Sequence, residues 1–226
     1  MANIQEKEIN IIYKNVKKHK KAILYSFFES FEEVSIVNIE ITKSNKEYIQ
    51  AIITLDNGRK IIYKSCALEY EKGFQKYISW LNQNVFQDRK MYCKNILLYK
   101  ECGFVEYIDE RKCEDEEKLL DYYYRLGGLK AVLGTLNVVA TEECDIIQMG
   151  EQPIVKDIDQ LINKTSEDKM KLCNSHGKKD LSEIQLQYYI NGYQDILDYV
   201  RKHESDIEEI LKMSFGNEIL YQREKK

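Results

Sequence analysis

Proline is almost missing from this chain, with one in 226 residues, and glycine is held to ten. A flexible linker or a disordered domain is normally richer in both, and composition nowhere splits the chain. A basic excess is also missing: 34 Lys and Arg against 38 Asp and Glu leave a formal net charge of -4. That balance lacks the electrostatic footprint of a nucleic-acid or anionic-membrane binder, so neither partner is expected. Long apolar runs are absent too. Stretches such as Ala51 to Leu55 and Ala131 to Leu133 fall far short of the roughly 20 residues that span a bilayer. The opening Met1-Ala2-Asn3-Ile4-Gln5-Glu6 is polar and acidic, unlike the basic-then-apolar pattern of a secretory signal, and a cytoplasmic location is expected. The six cysteines form no Cys-x-x-Cys pair and the three histidines cluster with none of them except Cys173, so no zinc is expected and the thiols read as reduced. No Gly-x-x-x-x-Gly-Lys, Gly-x-Gly-x-x-Gly, Gly-x-Ser-x-Gly or His-Glu-x-x-His occurs, which excludes the common nucleotide and hydrolase motifs.

What is present is 43% hydrophobic residues in periodic order, enough for a real core. Ile9, Ile12, Tyr13, Val16, Ile23, Leu24 and Phe27 recur at helical spacing, and the run Lys17-Lys18-His19-Lys20-Lys21 reads as a solvated face of that helix. Val34 to Ile41 alternates and Tyr48 to Leu55 is β-branched, predicting two strands. Asp56-Asn57-Gly58 then predicts a type I′ turn into a return strand, Arg59 to Lys64. Next come a helix from Leu68 to Phe86, a strand pair at Ile96 to Tyr99 and Phe104 to Ile108, and a helix from Glu116 to Leu136. Cys144 to Met149 and Pro153 to Ile158 predict a hairpin around Gly150-Glu151, and Leu181 to Lys202 an amphipathic helix. Ser205-Asp206-Ile207-Glu208 has the form of a capping box that restarts helix toward Met213. Strands first and mostly helices later define an α+β chain.

Two places could carry chemistry. Lys64 ends an apolar strand and is followed by Glu69 and Glu71 on the next helix, the residue types with which a kinase holds nucleotide phosphates and orients the holding lysine, although by itself a lysine ending a strand is usually just solvated. Glu142, Glu143, Asp145, Asp157 and Asp159 cluster about the later hairpin, which could bring Asp145 and Asp157 close enough to share a divalent cation, because Mg²⁺ takes one or two carboxylates plus phosphate, although taken alone the cluster reads as a solvated acidic loop.

Three segments resemble the dehydratase domain of class II lanthionine (lantibiotic) synthetases. They are Asp56-Asn57-Gly58-Arg59-Lys60-Ile61-Ile62-Tyr63-Lys64 with Phe74-Gln75 and Trp80-Leu81-Asn82; Cys102-Gly103-Phe104-Val105-Glu106-Tyr107-Ile108 with Cys113 and Tyr123-Tyr124-Arg125-Leu126-Gly127-Gly128; and Gly150-Glu151-Gln152-Pro153-Ile154-Val155-Lys156-Asp157-Ile158-Asp159-Gln160-Leu161. The resemblance implies a lipid-kinase-like fold in one domain, residues 1–226. Its antiparallel N-lobe sheet and leading helix would occupy about 1–110 and its mostly helical C-lobe about 111–226. It implies ATP-dependent phosphorylation of Ser and Thr in a precursor peptide, followed by phosphate elimination. Carried over residue by residue, it makes Lys64 the ATP-phosphate lysine and Asp157 a metal aspartate, with Glu71 beside the nucleotide. The family's Asp-x-His-x-x-Asn falls on Ala140, Glu142 and Asp145, its Gly-Asp-x-His falls near Ile41, Thr42 and Ser44, and no threonine lies near Arg223 to Lys225 where the elimination motif belongs. No cyclase portion is found in these residues. The expectation is therefore a pseudokinase-like accessory that keeps ATP and Mg²⁺ on Lys64, Glu71, Asp145 and Asp157. Its partner would be a precursor peptide or a lanthionine-forming enzyme. The alternative is an active peptide kinase in which Glu142 replaces the missing base.

Overall fold

The structure is a computed structural model and describes residues 2–45, 48–66, 68–86, 88–138, 145–158, 161 and 181–216. The chain folds as two compact units, one of Met1–Glu69 and Lys94–Tyr107 and one of Tyr70–Cys93 and Ile108–Lys226. The architecture is α+β with an antiparallel sheet.

The first unit holds α1 (Ala2–Phe28), β1 (Ile36–Ser44), β2 (Ile49–Leu55), β3 (Lys60–Lys64), β4 (Ile96–Leu98) and β5 (Gly103–Glu106). Its sheet runs in the order β1-β2-β3-β5-β4, antiparallel throughout. Because side chains alternate across a strand, the pairs Ala51↔Tyr63, Ile53↔Ile61 and Tyr63↔Phe104 put one set of apolar residues on a single face. That face closes a core with Ile12, Val16, Ile23 and Leu24 of α1, which recur at helical spacing. The β2–β3 turn differs from the type I′ expectation. Only Gly58 has positive φ, at 80°, the Gly58 N–H donates to Leu55 O at 2.9 Å, and Leu55 N–H donates to Arg59 O at 2.9 Å. This is a three-residue loop ending in a glycine bulge, so Asn57 never enters the left-handed region. The predicted return strand is nevertheless in place, because this loop also closes an antiparallel hairpin.

The second unit holds α2 (Glu69–Asn84), α3 (Glu116–Thr135), the hairpin β6 (Ile146–Met149) and β7 (Gln152–Val155), α4 (Glu183–Lys202) and α5 (Glu204–Phe215). Phe74, Tyr77, Leu81, Leu129, Val132 and Ile196 are among its core residues. Asp115 caps α3 by accepting from Lys118 N–H, and acidic Glu116 and Glu117 in the first turn suit the positive end of the helix. The capping box lies elsewhere than predicted: Ser182 and Gln185 exchange the two bonds at the start of α4. At the predicted site α5 already begins at Glu204, and Ser205 lies inside it. The break between α4 and α5 falls at His203, whose ring stacks on Tyr199 and whose Nδ1 lies 3.4 Å from Asp206. Pro153, the only proline in the sequence, sits on β7, which among the described residues pairs with β6 alone and so needs no N–H on its other edge.

α3 and α4 meet through glycine. A Cβ on Gly127 would lie 1.9 Å from Tyr189 O, and one on Gly192 would lie 1.9 Å from Tyr124 O. Each helix therefore presses bare backbone against the other's carbonyl. Nearby, Tyr124 donates to Asp195 at 2.5 Å, and the Arg89 guanidinium lies 4.6 Å from the Tyr124 ring centroid. No helix among the described residues is long and apolar enough to cross a membrane.

Candidate functional site

Lys64 is the last residue of β3, between Gln50 of β2 and Gly103 of β5. Alternation puts Ile61 and Tyr63 on the α1 side of the sheet, so Lys64 falls on the opposite face with Ile62. It is 2% exposed, a rare state for a residue type that almost always keeps its ammonium in water. Gly103 makes room next to it: a Cβ there would lie 2.3 Å from Leu68 Cδ1, so Leu68 packs on bare backbone. Tyr63, one residue earlier, accepts a hydrogen bond from Asn15 Nδ2 at 2.9 Å, and burial pushes its phenol up.

The acidic residues belong to the second unit. Glu71 is fully buried in α2, and its Oε1 accepts the Ile158 N–H at 3.4 Å, which ties α2 to the peptide immediately after Asp157. Asp157 is 8% exposed. Ile146 pairs with Val155, and one step outward Lys156 N–H donates to Asp145 O at 2.8 Å, so Asp145 and Asp157 flank the open end of the hairpin from opposite strands. Thus Glu71 joins the Asp157 segment and Asp145 flanks it, while Lys64 belongs to the first unit. Glu142 lies outside the described residues, as do Ala140, Glu143, Asp159 and the stretch 223–225. Among the described residues no three His, Cys, Asp or Glu side chains gather to hold a metal unaided.

Several residues fix the acidic hairpin, and of these sequence spacing points to Arg125 alone. Arg125, buried in α3, donates to Lys90 O at 3.2 Å and to Glu151 O at 3.4 Å, and its Nη1 lies 3.8 Å from Asp121. Burial lowers its pKa, opposed by the charges of Asp121 and Glu151. Gln152 accepts from Tyr92 N–H at 3.0 Å and donates to Lys90 O at 3.2 Å. On the other side Arg111 N–H donates to Gln148 O at 2.7 Å, and Gly150 N–H donates to Arg111 O at 2.6 Å. Asn82 pins the same neighbourhood, bonding both the N–H and the C=O of Met91. A signal exists for Arg125: it shares the stripe of Leu129, Val132 and Leu133, where a charge demands a buried partner. Cys66, Cys93, Cys102 and Cys113 form no disulfide, and burial pushes the thiols of the last three up, away from the thiolate a nucleophile needs.

An antiparallel sheet with a buried strand-end lysine, and a helical unit with buried Glu71 and Asp157, define an α+β class of protein. The chain belongs to the family described as "Domain of unknown function (DUF4135)", which it matches over residues 5–187. The lacticin 481/lactococcin biosynthesis protein LcnDR2 of Lactococcus lactis subsp. lactis is 26% identical over 165 residues, 70% of this chain and 18% of that protein. The chain thus spans less than a fifth of the length of that relative. These similarities support the sequence motifs: the chain is a lantibiotic synthetase-related domain.

Proposed function

We propose that this chain is a pseudokinase-like accessory of lanthipeptide biosynthesis, with its two units serving as the lobes of a lipid-kinase-like fold. In this reading Lys64 holds nucleotide phosphate, and Asp157 and Asp145 supply carboxylates to Mg²⁺. The ion, when bound, would screen the phosphate charge. Glu71 supports the peptide that carries Asp157, and the bound domain serves a precursor peptide or a lanthionine-forming enzyme. The observation that carries the reading is Lys64, buried to 2% exposure at the strand end where the family's phosphate lysine falls. Catalysis is weakened in this reading because Ala140 occupies the position of the general base. Losing such a base costs roughly 10² to 10⁴ in rate.

The test is thermal unfolding with and without Mg-ATP. Ligand at 100 times its dissociation constant stabilises a fold by about 2.7 kcal/mol. Asp157→Ala should remove most of that gain, because without the metal the phosphates face Asp145 unscreened. Lys64→Ala should weaken ATP more than adenosine, since an ammonium reads phosphate and not the base. If wild type and both variants unfold alike with saturating Mg-ATP, the reading is wrong. If the γ-phosphate appears on a peptide and Glu142→Gln abolishes the transfer, the chain is instead an active kinase.

A further inference from the structure

β1 is an edge strand, and among the described residues its backbone pairs with β2 alone. Its nine residues present an open edge about 30 Å long, whereas β4 at the opposite edge has three. A long edge recruits another strand unless charge or irregularity blunts it, and β1 carries both. Ile36, Ile39 and Ile41 pack against the core that α1 covers. Register shifts between Ile36 and Asn38 and between Ile41 and Lys43 drop Val37 and Thr42 from the pairing, so Asn38, Glu40 and Lys43, opposite Thr54, Ile52 and Gln50, share the other face. At the second shift the Thr42 hydroxyl donates to Gln50 O at 3.2 Å. Without that shift Glu40 and Lys43 would point to opposite faces, because side chains alternate along a strand. Both are exposed, and among the described residues neither side chain has an ion pair or a hydrogen bond.

We propose that β1 pairs with β1 of a second copy of this chain, antiparallel about a two-fold axis at Ile41, joining two five-stranded sheets edge to edge. Such an interface is self-complementary, so every contact is made twice. The charges choose the register. Opposite residues must share a face, like charges set opposite destabilise a pair of strands, and unlike charges stabilise it. An axis at Glu40 sets the two glutamates against each other, and an axis at Lys43 does the same to the two lysines. With the axis at Ile39, Glu40 lies opposite Asn38 and Lys43 falls beyond the paired residues. Only the axis at Ile41 gives both charges an opposite partner, Glu40 of each copy facing Lys43 of the other, with Ile41 opposite itself and Ile39 opposite Ser44. The charges that block the other registers thereby specify this one. The interface uses neither Lys64 nor Asp157 and stands independently of nucleotide.

The test is sedimentation equilibrium of the full chain from micromolar to millimolar concentration. Glu40→Lys and Lys43→Glu should each weaken the dimer roughly tenfold or more, since each turns two attractions into two repulsions. The double variant Glu40→Lys/Lys43→Glu should restore wild-type dimerisation, and the two single variants, mixed, should pair with each other. Every variant should melt as wild type does when dilute, because both positions are exposed. Amide exchange over residues 36–44 of the wild type should slow as concentration rises. A wild-type chain that stays monomeric throughout overturns the proposal. So does a dimer that both single variants leave intact, or one that neither the double variant nor the mixture restores.

Discussion

Replacing Gly192 by alanine sets two effects of known sign against each other. In a helix interior alanine is favoured over glycine by about 1 kcal/mol, so an unobstructed site gains stability. At Gly192 the new methyl would lie 1.9 Å from Tyr124 O, whereas ordinary contact begins at 3.4 Å, so the backbones of α3 and α4 must part by 3.4 - 1.9 = 1.5 Å. Overpacking costs typically about 1–3 kcal/mol. Here the obstacle is backbone on both sides, because Gly127 makes the reciprocal approach to Tyr189, so the upper end applies. The net loss is about 2 kcal/mol, or a fall in Tm of about 4–8 °C for a protein of this size. Gly134 is the control within α3: nothing lies within 4 Å of its absent Cβ, so Gly134→Ala should raise Tm. The Gly127→Ala/Gly192→Ala pair should cost less than the sum of its parts, since the first methyl has already opened the crossing. The assay is thermal unfolding followed by circular dichroism. A Gly192→Ala protein as stabilised as Gly134→Ala would refute the close crossing and the reasoning built on it.

Arg125→Ala removes a buried guanidinium that binds two carbonyls. It should cost about 3 kcal/mol, and amide exchange should accelerate over β6, β7 and residues 88–93 more than elsewhere. Burial first, and then the hydrogen bond to Asp195, push the Tyr124 phenol up to about 12. The unfolded chain therefore loses that proton first, near pH 10, and the stability held by Tyr124 is complete below that pH and drains as pH rises toward 12. Tyr124→Phe should cost about 0.5–1.5 kcal/mol at neutral pH and flatten the alkaline loss. Urea unfolding across that range checks both effects, and equal alkaline slopes for the two proteins would count against the Asp195 bond.

Sequence periodicity locates α2, α3 and α4 to within a few residues, because each buries one stripe, whereas α1 begins at Ala2, ahead of its first apolar repeat at Ile9. Strand alternation does the same for the β2–β3 and β6–β7 hairpins. The details that escape it are those in which a local pattern competes with its surroundings. Asn57-Gly58 suits two turn types, and the Leu55–Arg59 pairing selects the one that needs only the glycine positive. Ser205 has the spacing of a cap, but the helix restarts earlier, at the kink made by His203. The order β1-β2-β3-β5-β4 is invisible in strand patterns, which carry no information about which edge β5 joins. Lys64, Glu71 and Asp157 stand out in the sequence as residue types, whereas their burial becomes visible only in the fold. The bonds of Arg125 and Gln152 are not legible there, because each reaches a backbone at least 26 residues away in sequence. The Gly127–Gly192 approach needs two helices at once, so neither glycine announces it alone.

The sheet order has a consequence for a chain still being made. β3 receives one partner at once from β2, but its other edge pairs with β5, and the 38 residues 65–102 lie between. At about 5–20 residues per second that interval lasts roughly 2–8 s, during which a helix destined for the other unit is being synthesised. Throughout it Ile61-Ile62-Tyr63 presents open amides and carbonyls, the kind of edge that recruits a wrong strand. Lys60 and Lys64 bracket that tripeptide, and until β5 arrives they are two positive charges guarding a nascent edge against a second copy of itself.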